Sequence, residues 1–181
     1  MRTWSIGKSA TLIDIGTCIN KYRMSTPGLY VCINVGVKLG DQIESPDLIA
    51  MINSGPEKQC KPDFEQGYFV GPPNFVLDIH EDIHSSFAQN RKKTFSSAGV
   101  KEYLVLNETL TQIEWNRLTA QGYQQILPDG EGLIKSTSLP GFWLSVRDLE
   151  KRNFWAVMAW IEQGVTRREH HELMAGVWRK G

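Results

Sequence analysis

In residues 29–39, apolar side chains occupy every second position from 31 onwards, and β-branched residues are frequent. This alternation is typical of a β-strand with one buried face. Two short apolar runs, 48–52 and 75–79, lie between turn-forming residues and predict buried strands. Residues 100–106 and 111–115 predict two further strands.

A helical pattern follows the third of these strands, in residues 85–98. Side chains three or four positions apart form one face, namely Phe87, Arg91, Phe95 and Ala98. Gly99 is placed to end the helix as a C-terminal cap. Because the helix separates two predicted strands, the pattern indicates a β-α-β crossover. Residues 147–162 and 166–178 predict two C-terminal helices.

The remaining segments give weaker patterns. Residues 122–144 predict two short strands around the turn at Pro128-Asp129-Gly130. Residues 53–74, with four prolines and three glycines, predict a long loop. Residues 1–28 mix short apolar runs with Gly, Ser, Thr and Pro, and they predict no particular element.

The composition is that of a globular protein, with 41% hydrophobic and 22% charged residues. We expect residues 1–181 to form one domain, with its core in residues 29–150 and helices in residues 147–178. Twenty basic residues balance twenty acidic ones. A nucleic acid would therefore have to be bound by a local patch, because the net charge provides no attraction.

The three cysteines are odd in number and lack CxxC spacing, which argues against a disulfide framework and against a zinc knuckle. No apolar run approaches the length of a membrane span, and the N-terminus shows no apolar signal segment. These features predict a soluble, cytoplasmic protein with no membrane partner.

Two aspartates adjoin the predicted core strands. Asp47 precedes the run 48–52, and Asp78 lies within the run 75–79, directly before Ile79. A carboxylate in such a strand loses much of its hydration unless a cation, hydrogen bonds or a proton compensates. A hard divalent cation, Mg²⁺ or Mn²⁺, would compensate, with Asp47, Asp78 and the Ile79 carbonyl as its ligands.

Each candidate also has a structural explanation. Asp47 could cap the turn after Pro46, and Asp78 could pair with an arginine or accept backbone hydrogen bonds. His80 shares a strand face with Asp78, and it is either a proton carrier or metal ligand, or a structural histidine. The pair His170-His171 points in two directions on its helix, which favours a solvated face over a metal site.

Arg91 lies one helical turn from both Phe87 and Phe95, so it should project from the apolar face toward the sheet. A cation on that face predicts a carboxylate nearby. The alternative is that its side chain runs along the helix surface. The same spacing predicts that Lys92 and Lys93 face solvent.

Five segments occur in the order found in one protein family. They are SPDLIAMI (45–52), PPNFVLDI (72–79), AGVKEYLVL (98–106), GYQQILPDG (122–130) and STSLPGFWL (136–144). Over residues 29–150 the chain resembles the Uma-type restriction-endonuclease family of the PD-(D/E)xK superfamily. The resemblance implies a restriction-endonuclease-like α/β (α+β) fold, in which helices flank a mixed sheet and a helical extension follows.

By this resemblance, Asp47 and Asp78 match the two acids of the family, and Arg91 stands where its helix usually bears a lysine. The sequence departs from the family in having Asp78 for Glu, Arg91 for Lys, and Asn107 where Asp is frequent. Aspartate is one methylene shorter, and active-site geometry is sensitive to shifts of about 1 Å. Arginine stays protonated, so it cannot be a general base, although it can orient water or stabilise phosphate.

Two functions follow from the resemblance. The first is a metal-dependent endonuclease that hydrolyses DNA phosphodiester bonds, with Asp47, Asp78, Arg91 and His80 as catalytic residues. Its metal ligands would be Asp47, Asp78 and Ile79. The second is a degenerate relative that keeps the fold as a nucleic-acid-binding or protein-interaction module.

The C-terminal helices carry more large apolar side chains than a two-helix extension readily buries. They are those of Phe154, Trp155, Met158, Trp160, Met174 and Trp178. Aromatic residues and Met are enriched in interfaces, so the sequence predicts a homodimer, which would supply one active centre per strand of a duplex. The alternative is that these side chains cover the sheet of their own chain.

Overall fold

The computed structural model describes residues 4–178, and the side chains of residues 4–176. Its helices are Ile6–Met24 (α1), Ser86–Ala98 (α2), Val146–Glu150 (α3), Phe154–Val165 (α4) and Arg168–Trp178 (α5). Its strands are Leu29–Ile33 (β1), Gly36–Leu39 (β2), Gln42–Glu44 (β3), Leu48–Ile52 (β4), Lys61–Asp63 (β5), Tyr68–Val70 (β6), Phe75–His80 (β7), Glu102–Asn107 (β8), Ile113–Thr119 (β9), Gly122–Gln125 (β10), Leu133–Lys135 (β11) and Trp143–Ser145 (β12).

The central sheet has six strands in the order β1-β4-β7-β8-β9-β10. β7 and β8 run parallel, and the other neighbouring strands run antiparallel. Because α2 connects β7 to β8, the predicted β-α-β crossover is confirmed. β4 is buried along its whole length and β7 along nearly all of it, which is why both read as continuous apolar runs.

Two apolar cores cover the two faces of this sheet. On one face the central strands pack against α1, α4 and α5, in a core that includes Ile15, Leu48, Phe75, Ile161 and Leu173. On the other face they pack against α2 and a small sheet of order β3-β2-β6-β5, in a core that includes Val37, Ile49, Phe69, Val76 and Phe95. The mixed sheet flanked by helices that the resemblance implies is therefore confirmed.

The helix α1 was not predicted from the sequence. It begins at Ile6 and is capped by Ser5, whose hydroxyl accepts a hydrogen bond from the amide of Lys8 at 2.9 Å. Its inward face is regular and consists of Leu12, Ile15, Cys18, Ile19 and Tyr22. However, Ile6 and Ile13 are exposed on its outer side, 91% and 65% respectively, and these apolar residues hide the helical pattern.

The segment 29–39 forms two strands, so the prediction of one strand was wrong. Asn34 has a φ of 52°, a left-handed conformation that interrupts regular strand pairing. As a result, β1 pairs with β4 in the central sheet, whereas β2 pairs with β3 and β6 in the small sheet. The alternation of apolar residues continues across the break, so it could not reveal the change of sheet.

Three other segments also differ from prediction. Residues 53–74, predicted as a loop, contain the short strands β5 and β6, and residues 122–144 contain three strands instead of two. The predicted helix 147–162 is interrupted between α3 and α4, where Arg152 has a φ of 53°. Asn153 then caps the start of α4 by accepting a hydrogen bond from the amide of Ala156.

Glu102, at the start of β8, is fully buried and organises a distant turn. Its carboxylate accepts hydrogen bonds from Trp115 Nε1 (3.2 Å), Ser136 Oγ (2.6 Å), and the amide and hydroxyl of Thr137 (both 2.9 Å). The amide of Ser138 adds a further bond at 3.3 Å. A buried carboxylate is tolerated when its acceptor sites are filled in this way, so Glu102 holds the turn 136–138 against the sheet.

The helix α4 packs against α1, although the two are far apart in sequence. Val157 and Ile161 are buried between α4 and the rest of the core. At the surface, the Lys21 ammonium pairs with Glu162 Oε1 at 2.6 Å. In residues 4–178, no helix has the length and apolarity that crossing a membrane requires.

Only part of the apolar surface of the C-terminal helices is covered by the chain itself. The partly buried side chains are those of Phe154, Met158 and Met174. Trp155 remains 84% exposed, and the half-buried Trp160 donates its indole N–H to an α3 carboxylate. The side chain of Trp178 lies outside the described residues.

His170 is buried, so the prediction of a solvated pair was wrong for this residue. The helix period places His170 on the same inward face as Leu173, whereas His171 is exposed. His170 Nε2 lies 3.0 Å from Thr26 Oγ1, and its ring packs edge-on against Tyr22. Burial lowers the pKa of His170.

The three cysteines are free thiols, as expected from their spacing. Cys18 and Cys60 are buried, and burial raises their pKa to about 12 and about 11, respectively. Cys32 is half-buried, and burial raises its pKa as well. A thiol with a raised pKa forms little thiolate, so the cysteines offer no reactive nucleophile.

Candidate active site

Asp47 and Asp78 meet at one end of the ladder between β4 and β7. The last paired residues are Leu48 and Leu77, and the two aspartates come one position further out. The amide of Asp47 donates to Asp78 Oδ1 at 3.1 Å, and the amide of Ile79 donates to Asp47 Oδ2 at 2.7 Å. Their carboxylates thus replace backbone acceptors where the ladder ends.

Asp78 is only 1% exposed, and both its oxygens are fully engaged. Arg91 donates from Nε to Oδ2 at 2.6 Å and from Nη2 to Oδ1 at 3.2 Å. The hydroxyl of Tyr103 donates to Oδ2 at 3.1 Å, beside the amide of Asp47 on Oδ1. The predicted contact between Arg91 and an acid is confirmed. Pairing with an arginine, the structural explanation considered for Asp78, also holds.

Arg91 connects the central sheet, through Asp78 on β7, with the edge of the small sheet, through Glu44 on β3. Its Nη1 donates to Glu44 Oε2 at 2.9 Å, and its guanidinium lies 5.0 Å from the centre of the Phe95 ring. Burial lowers the pKa of Arg91, but the charge and hydrogen bonds of Asp78, with smaller effects of Tyr103 and Glu44, outweigh burial and leave the pKa raised. Arg91 therefore stays protonated and cannot serve as a base.

The neighbours of Arg91 were predicted to face solvent. Lys93 is exposed, but Lys92 pairs with Glu114 on β9, so the prediction was wrong for Lys92. Helical spacing fixes the direction in which a side chain leaves the helix. It does not limit how far a long lysine side chain reaches along a neighbouring surface.

Lys8 enters the site from the first turns of α1. Its Nζ lies 2.7 Å from Asp47 Oδ2 and 2.9 Å from the carbonyl oxygen of Ile79. The ammonium also lies 5.5 Å from the centre of the Trp4 ring. Sequence reasoning missed Lys8 because α1 was not predicted, and no local pattern connects residue 8 with residues 47 and 79.

Asp47 combines a buried carboxylate with one available oxygen. Burial raises its pKa and the charge of Asp78 raises it further, while the hydrogen bonds and charge of Lys8 and the Ile79 amide act against this and leave it raised. Oδ2 accepts the bonds from Ile79 and Lys8. No hydrogen bond to Oδ1 comes from any side chain or amide of the described residues, so this oxygen can accept another partner.

His80, on the same strand as Asp78, is mostly buried and has an unpaired nitrogen. Its Nε2 has no hydrogen-bond partner within the described residues and lies 4.0 Å from Asp78 Oδ2. The ring packs edge-on against Phe87 at 5.6 Å. Burial lowers the pKa of His80 more than the charge of Asp78 raises it, so the imidazole is neutral near pH 7. Because Nε2 is also shielded from solvent, the ring must turn before this nitrogen can exchange a proton with the cleft.

These residues line a cleft of about 830 Å³. Its acidic members are Asp47, Asp78, Glu81, Asp82 and Glu108, and its basic members are Lys8 and Arg91. The lining thus has an excess of three negative charges. A cleft of this kind attracts cations and repels a phosphodiester until a cation reduces its charge.

The oxygen donors of the cleft fit a hard divalent cation in part. Asp47 Oδ1 is unengaged among the described residues, and the Ile79 carbonyl oxygen accepts a hydrogen bond from Lys8. Mg²⁺ commonly takes one or two carboxylates and keeps several waters. Asp78 has no oxygen to offer while Arg91 and Tyr103 occupy it. Among residues 4–178, no three His, Cys, Asp or Glu side chains form a ready ligand set. The arrangement therefore fits a partly hydrated ion and not a complete protein cage.

Asn107 does not contribute to the cleft. Its Oδ1 accepts from the amides of Thr111 and Gln112, both at 2.9 Å, and its Nδ2 donates to the hydroxyls of Thr109 and Thr111. These bonds form the turn between β8 and β9. The asparagine found where the family often has aspartate therefore has a structural role here.

Comparisons with known proteins agree with this fold. The sequence profile of the Uma2 family, described as "putative restriction endonuclease", matches residues 8–147. A crystal structure of a "putative nuclease belonging to DUF820" from Anabaena variabilis superposes with a TM-score of 0.61 at 15% identity, over 88% of this chain and 84% of that chain. No protein with a curated description matches the sequence. Since the family profile covers most of the chain, including the cleft residues Lys8, Asp47 and Asp78, the chain belongs to the Uma2 family of restriction-endonuclease-like proteins.

Proposed function

We propose that the chain is a metal-dependent endonuclease that hydrolyses phosphodiester bonds of DNA. The observation that carries this proposal is the end of the β4–β7 ladder. There, Asp47 Oδ2 and the Ile79 carbonyl oxygen both lie within hydrogen-bond distance of one ammonium, that of Lys8, in a cleft with excess negative charge. Membership of the Uma2 family supports a nuclease, and the cleft supports the use of a cation.

In this proposal, Asp47 and the Ile79 carbonyl bind Mg²⁺ or Mn²⁺, and Asp78 holds Asp47 in place through its bond to the Asp47 amide. The bound ion would lower the pKa of a coordinated water and reduce the charge that repels the phosphate. In this proposal His80 accepts a proton from the attacking water after its ring turns toward the cleft, because its imidazole is neutral and its Nε2 is unpaired but shielded from solvent. Arg91 positions Asp78.

The Arg91–Asp78 pair favours a second candidate function. A guanidinium that holds both Asp78 oxygens leaves the cleft with one carboxylate for a cation, fewer than the two acids of the family. A chain with this change would keep the fold as a nucleic-acid-binding or protein-interaction module without hydrolysis. Cleavage and DNA binding must therefore be measured separately.

The test compares cleavage of supercoiled plasmid and of short duplex DNA by the wild-type chain in Mg²⁺, in Mn²⁺ and in EDTA. The variant Asp47→Asn keeps the size of the side chain but removes its charge. We expect it to lower the cleavage rate by about 100-fold or more. The matched control is Asp129→Asn, which removes a partly exposed carboxylate outside the cleft and should leave the rate unchanged.

Two results decide between the candidate functions. Metal-dependent cleavage that is lost in Asp47→Asn and kept in Asp129→Asn supports the endonuclease. DNA binding without cleavage in either metal supports the module. Cleavage that persists in Asp47→Asn would remove the proposed site.

A further inference from the structure

Lys8 binds the two groups that the proposed function gives to the cation, namely the Asp47 carboxylate, through Oδ2, and the Ile79 carbonyl. Its ammonium lies 2.7 Å from Asp47 Oδ2 and 2.9 Å from the Ile79 carbonyl oxygen, and its side chain is only 21% exposed. These are the distances of direct charge-assisted hydrogen bonds. The ammonium is therefore hydrogen-bonded to both oxygens at the same time.

We propose that Lys8 is a built-in competitor of the divalent cation, so that its ammonium and the ion are alternative occupants of the place between Asp47 and the Ile79 carbonyl. This inference rests on the proposed function. A divalent ion in direct contact with these oxygens would approach the ammonium closely, and two positive charges that share the same donors repel each other. Lys8 must move away when the ion binds.

The surroundings of Lys8 allow this exchange. A lysine side chain has a flexible four-carbon stem, so its ammonium can leave without movement of α1 as a whole. The first turn of α1 stays attached through Ser5, whose hydroxyl donates to Glu108 Oε1 at 2.5 Å. The buried face of α1, beginning at Thr11, anchors the rest of the helix in the core.

Trp4 provides a signal for the exchange. Its ring lines the cleft, is 37% exposed and lies 5.5 Å from the Lys8 ammonium, so a move of Lys8 alters its surroundings.

Competition between Lys8 and the ion also lowers the apparent affinity for the ion. A ligand that binds only when a site is vacated has an apparent affinity reduced by the fraction of molecules in which the site is vacant.

The test is a calorimetric titration with Mn²⁺ of the wild type and of Lys8→Met, Lys8→Arg and Lys21→Met, at about pH 8, where ordinary carboxyl groups are ionised. We expect Lys8→Met to bind Mn²⁺ about tenfold more tightly than the wild type, because the competing charge is gone. Lys8→Arg keeps a cation and should not tighten binding. Lys21→Met is the matched control, since it removes another lysine of α1 that pairs with a carboxylate away from the cleft.

A second measurement separates competition from a purely structural role. Mg²⁺ should change the tryptophan emission of the wild type, and this change should be absent in both Lys8→Met and Trp4→Phe. If circular dichroism shows that Lys8→Met does not fold, Lys8→Gln takes its place. Equal or weaker Mn²⁺ binding in the folded Lys8 variant would overturn the inference while leaving a metal-dependent nuclease intact. Absence of Mn²⁺ binding in all four proteins would overturn both.

Discussion

Arg91 binds both oxygens of Asp78 in a two-pronged pair, at 2.6 Å and 3.2 Å, with little of either side chain exposed. The planar guanidinium matches the carboxylate, so the pair fixes the orientation of both groups. Breaking a buried pair on one side leaves the other charge without compensation. The inner wall of the cleft therefore depends on these two residues together.

The first prediction concerns stability. We expect Arg91→Ala to lower the free energy of unfolding by about 3–5 kcal/mol, because Asp78 and Glu44 would lose their shared cation. Urea denaturation measures the change. Arg168→Ala, which removes an exposed arginine paired with Glu172, should leave the unfolding midpoint where it is. A small effect of Arg91→Ala would mean that water or another donor takes over its role.

The second prediction concerns the two departures from the family at these positions. The double variant Asp78→Glu with Arg91→Lys restores the usual pair of the family. A lysine cannot hold both carboxylate oxygens as arginine does, so one oxygen becomes available to a cation. We expect Mn²⁺ affinity to rise about tenfold, equivalent to ~1.4 kcal/mol, by calorimetry. Unchanged affinity in a folded double variant would show that Asp78 takes no part in cation binding.

The third prediction concerns the buried Glu102. Glu102→Gln places amide hydrogens among the donors of Ser136, Thr137 and Trp115, where only an acceptor fits. We expect the free energy of unfolding to fall by about 3 kcal/mol. Thermal or urea unfolding measures this, and Glu131→Gln, the same change at an exposed glutamate, should have almost no effect. Equal stability of the two variants would contradict the role given to Glu102.

The fourth prediction concerns pH and rests on His170. Burial lowers its pKa in the folded protein, so between the ordinary value of about 6.5 and that lower value the unfolded chain binds more protons than the folded one. Stability must then rise with pH in this window and fall on acidification below about pH 6.5. His170→Gln should remove this contribution, whose slope cannot exceed ~1.4 kcal/mol per pH unit.

Urea unfolding of wild type and His170→Gln between about pH 7.5 and pH 5 measures the slope. His171→Gln serves as the control, because His171 is exposed on the neighbouring position of the same helix. Identical pH slopes in wild type and His170→Gln would show that His170 accepts its proton without loss of stability.

The fifth prediction concerns assembly. We expect a homodimer that uses the C-terminal helices, because Trp155 is 84% exposed on α4. Light scattering should give the mass of two chains for the wild type and of one chain for Trp155→Glu. Phe64→Glu, which places the same charge at an exposed aromatic near the small sheet, should leave the mass unchanged. A monomeric wild type at micromolar concentration would rule out this dimer.

The sequence predicted those site residues whose position follows from the spacing of apolar residues within a single strand or helix. Asp78 lies within an apolar run, and Arg91 falls on the inward face of a helix, so both could be placed before the structure was known. Lys8, Glu44 and Tyr103 could not. Each reaches the site only through the packing of its element against others, and no spacing within α1, β3 or β8 reports that packing.

The fold shows the same division. The runs 48–52 and 75–79 are strands buried by both layers, and their composition alone identifies them. The change of sheet at Asn34 depends on one positive φ, and the alternation around it is preserved. A pattern of apolar positions reports which face is buried, but it does not report which partner buries it.

The packing of α1 on α4 has a consequence for how the protein forms. The helix α1 contacts the nearby strands β1 and β7, but its packing against α4 forms only after the chain has been extended to residue 165. Closing so large a loop costs entropy, and a high share of such contacts slows folding. Lys8 and Ser5, near the start of α1, also meet the cleft only when α1 has docked. A nascent chain that lacks α4 therefore holds α1 against the sheet alone, and the position of Lys8 in the cleft becomes fully fixed only after α4 has been added.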